Sequence, residues 1–271
     1  MIELLAPALA ACLLLACILS YFGLHVLLRE VIFVDLALAQ LAALGAAVGH
    51  LLSAHSDSFA TYLCSFGFTL VGAAIFALAR PARTRLPQEA LIGIVYGVSA
   101  ALVILVLSKS ALDRDEVESM LTGRLLFAGW GEIGAMALLF GAVALLHIAL
   151  RRQFLEISEQ SRTHTLPTRR QKLLDFVFYA SFGVVVTSSV QLSGVLVVFG
   201  LLIVPASCAA IFFAKVSNRL LASWFIGTIS SSAGIAASAI WDLPTGPAVV
   251  TALGVAFALA VTGSIFSPAP E

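Results

Sequence analysis

Asp35, Gln40 and His50, followed by His55 and Asp57, are the side chains of this sequence best suited to hold a cation. Carboxylates and imidazoles bind divalent metals of the zinc, manganese and iron kind, and an amide oxygen is a weaker, hard ligand. All five lie in or just beyond one apolar stretch, 31–53. Ionisable groups inside such a stretch are expensive and ask for a reason. Asp35 stands about one turn inside the stretch, and Gln40 follows five residues later. On a helix they point about 140° apart at about 100° per residue. Asp35 either lines a pathway or pairs with Arg29 or a helix end. His50, His55 and Asp57 gather at the other end. They either capture a cation at a mouth or sit solvated on a loop. Glu132 reads as an interfacial acid or a proton carrier, and His25 and His147 as interfacial or packed histidines.

The elements that carry these groups are membrane helices. The chain has 271 residues, 61% of them hydrophobic and only 11% charged, with a mean hydropathy of +1.05. Soluble domains carry about 25% charged residues. A polytopic membrane protein, with an all-α fold, is the class this composition leaves. The net charge of zero gives no ground for nucleic-acid binding. Cys12, Cys17, Cys64 and Cys208 lie in or beside apolar runs without a CxxC pair, which suits small core residues. The first residues lack a basic n-region, so 4–28 reads as a first span and not as a signal peptide.

A helical span needs about 20 apolar residues. Nine stretches qualify: 4–28, 31–53, 59–80, 89–109, 127–150, 173–190, 194–214, 220–241 and 246–266. Their length and lack of alternation exclude barrel strands. The weakest is 173–190, with Asp175 near its start and Thr187, Ser188 and Ser189 near its end. Pro205 is expected to break the seventh span, and Asp242 to Pro247 to form a turn opening the last. Ser- and Ala-rich residues around Gly234 predict close helix packing. With nine spans, Arg29, the Arg80–Arg85 group, the 151–172 run, and Lys215 with Arg219 fall on one side. Translocation disfavours Lys and Arg, so that side is the cytoplasm. The N-terminus is then outside and the C-terminus inside.

The 151–172 run, RRQFLEISEQSRTHTLPTRRQK, is the longest polar stretch. It holds more residues than the two to eight or so that a simple connection between packed helices needs. It is either a solvated loop or a docking segment for a partner. No G-x-x-x-x-G-K-[ST], H-E-x-x-H or G-x-S-x-G is present, so no catalytic residue is assigned. ATP-driven work would need a separate ATPase.

Four stretches together resemble the permeases of bacterial metal-ion ABC transporters of the zinc, manganese and iron class. They are REVIFVDLALAQLAALG (29–45), LTGRLLFAGW (121–130), QLSGV with LVVFGLLIVPASCAAIFFAK (191–215), and DLPTGPAV (242–249). Gly194, Pro205, Asp242, Pro244, Gly246 and Pro247 are the structural landmarks of these motifs. The resemblance implies a single transmembrane permease domain, 1–271, in the bacterial cytoplasmic membrane. It also implies a homodimer, cytoplasmic ATPase subunits, an extracytoplasmic binding protein, and a transported divalent metal with no permanently bound cofactor. The ATPase would dock on the 151–172 loop, through Glu156, Ser158, Glu159, Arg162, Leu166 and Pro167. In the second span the family's acid falls on Leu36 and its histidine on Gln40, while Asp35 takes the place of a glycine. Neither ligand carries over residue for residue. A metal chelate or a non-metal solute is therefore a second reading of the cargo. A proton-coupled secondary transporter using Asp35 or Glu132 is a reading of another class.

Overall fold

The computed structural model describes residues 2–52, 59–78, 87–107, 125–160 and 168–265. Among them are nine α-helices and no strand. They are α1 (Ile2–Arg29), α2 (Val34–Leu52), α3 (Phe59–Leu78), α4 (Gln88–Leu107), α5 (Trp130–Ala149), α6 (Arg151–Gln160), α7 (Arg169–Phe212), α8 (Val216–Trp241) and α9 (Thr245–Ile265). All except α6 are long and apolar enough to cross a membrane. The 44 residues of α7 would reach about 66 Å at 1.5 Å per residue, twice a hydrocarbon core of about 30 Å. Gly194 divides it, with φ 80° and ψ 160°. That backbone is one an L side chain rarely adopts, and glycine adopts it freely. The two segments, 169–193 and 195–212, match the sixth and seventh expected spans, so nine span-length segments are present among the described residues. The weak stretch 173–190 lies wholly inside the first segment and is unbroken.

Pro205 does not break its helix as expected. The only residue of α7 with non-helical backbone angles is Gly194. Proline removes one N–H donor but leaves the rest of the ladder in place, and membrane helices re-satisfy the freed carbonyl locally.

The chain forms two compact units. One comprises 1–27, 118–146 and 189–271. Small residues set its packing. A Cβ on Gly23 would meet the Leu202 carbonyl oxygen at 1.9 Å, and one on Gly234 would meet Val249 Cα at 2.4 Å. The α8–α9 turn follows the expected pattern. Asp242 ends α8 in the left-handed region, φ 52° and ψ 43°, with the Leu243 N–H bonded to Ser238 O at 3.1 Å. Ser238 Oγ donates to the Leu243 carbonyl at 2.7 Å and lies 3.0 Å from Thr245 Oγ1. Gly246 is buried and Pro247 occupies the exposed first turn of α9, where a missing N–H costs nothing.

The other unit comprises 28–117 and 147–188. Here α2 packs on both α3 and α4. Gly45 lets α2 approach the α3 backbone, since a Cβ there would lie 2.5 Å from the Cys64 carbonyl oxygen. Gly183 of α7 makes room in the same way for Thr69 of α3. Thr69 Oγ1 lies 3.3 Å from Thr187 Oγ1, so part of the polar end of 173–190 is met by a hydroxyl partner.

Candidate functional site

The polar run between α5 and α7 is helical over its first half. In α6 the buried residues Phe154, Ile157 and Ser158 fall at i, i+3 and i+4, and Arg151, Arg152, Glu156 and Glu159 are exposed. This is one buried stripe under a charged face. Of the expected docking residues, Glu156 and Glu159 are exposed. Ser158 is a correction: it is fully buried and faces inward. Arg162, Leu166 and Pro167 lie outside the described residues. Past them, Thr168 and Gln171 open α7 with a reciprocal cap. Gln171 Oε1 accepts the Thr168 N–H at 2.8 Å, and Thr168 Oγ1 accepts the Gln171 N–H at 3.3 Å.

The strongest electrostatic feature is one the motifs did not single out. Arg29, the last residue of α1, is only 5% exposed. Its Nη1 donates to Asp175 Oδ1 of α7 at 2.7 Å, with the two side chains 2% and 1% exposed. Its Nε donates to Ser158 Oγ of α6 at 2.9 Å. The guanidinium carbon lies 3.8 Å from the centre of the Phe178 ring, a cation–π distance. Tyr179 flanks it at 5.5 Å and is itself bonded to Gln88 Nε2 of α4 at 3.0 Å. Ser158 Oγ donates its proton to the Phe154 carbonyl at 2.7 Å, which leaves its lone pair for Arg29. His147 is packed, with its ring 4.5 Å from that of Phe154 and Nε2 at 2.7 Å from Ser181 Oγ. One guanidinium thus ties the ends of three helices. Removing one member of a buried ion pair typically costs about 3–5 kcal/mol, because the other charge is left unpaired.

Arg29 therefore does not sit in an exposed cytoplasmic connection as its use in the charge rule supposed. Nor does Asp35 pair with it. Asp35 is 2% exposed in the first turn of α2, where the helix dipole favours an acid, and the N–H groups of Asp35 and Leu36 bond to its carboxyl. Its Oδ1 is buried without a hydrogen-bond partner among the described residues. Glu89 of α4 interacts with it electrostatically and accepts the Ile32 N–H just before α2. Gln40 and His50 are half-buried on α2. Asp35 and His50 are fifteen residues apart on one helix, about 22 Å at 1.5 Å per residue, so they cannot share one ion. His55 and Asp57 lie outside the described residues. Among those described, no three His, Cys, Asp or Glu side chains gather to hold a metal. Glu132 is exposed, and its Oε2 accepts the Gly129 N–H at 3.3 Å at the start of α5. His25 is buried, its ring 4.9 Å from that of Tyr21.

Span-length helices, one broken at a glycine, with a short amphipathic helix between two of them, define a polytopic helical membrane protein. The family model for the ABC 3 transport family matches residues 1–264, and the chain belongs to that family. It is 24% identical to an uncharacterized membrane protein of Synechocystis, over 96% of this chain and 90% of that one. It is 25% identical to the manganese transport system membrane protein MntB of Synechocystis, over 76% of this chain and 66% of that one. The fold is similar to PsaBC from Streptococcus pneumoniae, solved in complex with Fab. That match has a TM-score of 0.75 and 19% identity, and covers 98% of this chain and 92% of the other.

Sequence separation explains why the sequence alone missed the Arg29 cluster. Its members are 129 and 146 residues apart. The signal present was an acid, Asp175, in an otherwise apolar span, which requires a cationic partner.

Proposed function

We propose that this chain is the permease subunit of an ATP-binding cassette importer that carries a divalent metal ion across the bacterial cytoplasmic membrane. The observation that carries the reading is the family match over nearly the whole chain. The likeness to a manganese transport membrane protein supports a transition metal as cargo. Neither compact unit is one contiguous stretch of chain, which supports a single permease domain. The permease works as a homodimer, with ATPase subunits beneath the charged face of α6 and a binding protein on the opposite side. The N-terminus is outside and the C-terminus inside.

Cargo passes along α2, where the buried Asp35 offers an oxygen with no hydrogen-bond partner among the described residues. Gln40 lines the same helix, and His50, His55 and Asp57 receive the ion at its far end. Leu36 and Gln40, standing where the family has its acid and histidine, favour a second reading in which the cargo is a metal chelate or a non-metal solute.

The test is accumulation in a host lacking its own metal importers. The chain is co-expressed with the ATPase and binding protein encoded beside it. Cell-associated zinc, manganese and iron are read by elemental analysis, with Asp35→Ala and Gln40→Ala beside wild type. Accumulation that needs the ATPase and is lost in Asp35→Ala is expected. An assembled complex that accumulates none of the three metals overturns the metal reading. Uptake independent of the ATPase overturns the ABC reading in favour of a secondary transporter.

A further inference from the structure

We propose that Arg29 is the positioning residue through which displacement of α6 is carried into the membrane helices. The inference rests on the reading of this chain as an ATPase-driven permease with α6 at its docking face. The geometry ties α6 to two other helices through one charged group. Phe154 and Ile157 are buried, and the Phe154 ring packs against those of His147 and Phe178 without a charge or a charged hydrogen bond. Ser158 adds an angle. Its hydroxyl donates to the Phe154 carbonyl within α6 and accepts from Arg29 Nε, so the guanidinium is tied to the α6 backbone through one oxygen. The next nitrogen of the same planar group is held by Asp175 of α7, and its face lies on Phe178 of α7. The stem of Arg29 is the end of α1 itself. Rotation or translation of α6 therefore moves α1 and α7 together or breaks a buried charge-assisted bond.

The choice of groups supports positioning over stability. A buried ion pair is a poor stabiliser, and apolar residues of similar volume often hold a fold as well or better. What a guanidinium adds is fixed geometry: Nε and Nη1 serve two partners in one plane while the face stacks on a ring. A lysine has a single ammonium and cannot do all three.

The experiment uses the intact complex of permease, ATPase and binding protein in proteoliposomes, with manganese as the probe. Three quantities are read: manganese moved per ATP hydrolysed, stimulation of ATP hydrolysis by the loaded binding protein, and the melting temperature of the complex. In Arg29→Met/Asp175→Leu the pair is replaced by apolar side chains of similar size. The complex is expected to assemble and melt near wild type, while manganese moved per ATP falls at least about tenfold, the size of a typical coupling between sites. Arg29→Lys, which keeps the charge, is expected to recover only part of that ratio. A double variant that melts and couples like wild type overturns the proposal. Should the double variant fail to assemble, Ser158→Ala decides. It removes one hydroxyl, and an unchanged ratio there also overturns the joint. If the wild-type complex moves no manganese, zinc or iron, the cargo reading fails separately. The joint is then read from binding-protein stimulation of ATP hydrolysis, which is expected to vanish in the double variant and, if retained, contradicts it.

Discussion

Both compact units pack closely through missing side chains, and one of them adds a buried ionic joint. In the unit that contains α8 and α9, missing side chains do the work: Gly23 and Gly234 bring backbones to distances no Cβ allows. In the unit that contains α2, α3 and α6, Gly45 does the same between α2 and α3, and a buried Arg29–Asp175 pair bonded to Ser158 also joins three helix ends. Small-residue packing is uniform along a helix and rigid. An ionic joint is concentrated at one point and can be broken and remade. The ionic joint, and α6 with it, belongs wholly to the second unit.

The largest effect expected is on the ionic joint. Arg29→Ala leaves Asp175 buried and unpaired, so a loss of about 3–5 kcal/mol is expected, read as reduced membrane yield and a lowered melting temperature in detergent. The paired Arg29→Met/Asp175→Leu change is expected to recover most of it. A double variant as unstable as the single one would mean that the pair itself, and not the orphaned charge, holds the unit together. Next comes the glycine packing. Gly234→Val drives a branched side chain into the α9 backbone, and overpacking of this kind costs about 1–3 kcal/mol. Retention of wild-type melting in that variant would remove glycine packing from the comparison between the units.

Ser158→Ala is smaller. It removes a hydrogen bond to a charged group, about 1.5 kcal/mol by the usual range, without opening a large cavity. The smallest effect is at Gly97 of α4, where a Cβ meets nothing within 4 Å. Gly97→Ala is expected to stay within about 0.5 kcal/mol of wild type, since only helix propensity changes. A large loss there would show that this face is covered by a partner.

Much of the scaffold was legible in the sequence because it depends on local chemistry. Apolar runs gave the spans, and D-L-P-T-G-P gave the α8–α9 turn, since a left-handed Asp242 and an early Pro247 are local preferences. The separation of the sixth and seventh spans was expected just before 194 and falls at Gly194, whereas the break expected at Pro205 inside the seventh span is absent. A proline in lipid bends a helix, whereas one residue at φ 80° ends it. The joint was not legible, because Arg29 near an apolar end satisfies the charge rule equally well exposed or buried. Only its distance to Asp175 separates the two. On α2 the sequence marked Asp35 correctly as unusual. The choice among its partners needed the fold, which assigns Arg29 to Asp175 and leaves one oxygen of Asp35 buried with no hydrogen-bond partner among the described residues.

The most direct measurement is the initial rate of radioactive manganese uptake into proteoliposomes holding the permease, its ATPase and its binding protein, with ATP present or absent. The account predicts uptake that requires both ATP and the binding protein, and that Asp35→Ala abolishes. Uptake driven by a proton gradient without ATP would contradict it, as would an assembled, ATP-hydrolysing complex that moves no manganese, zinc or iron.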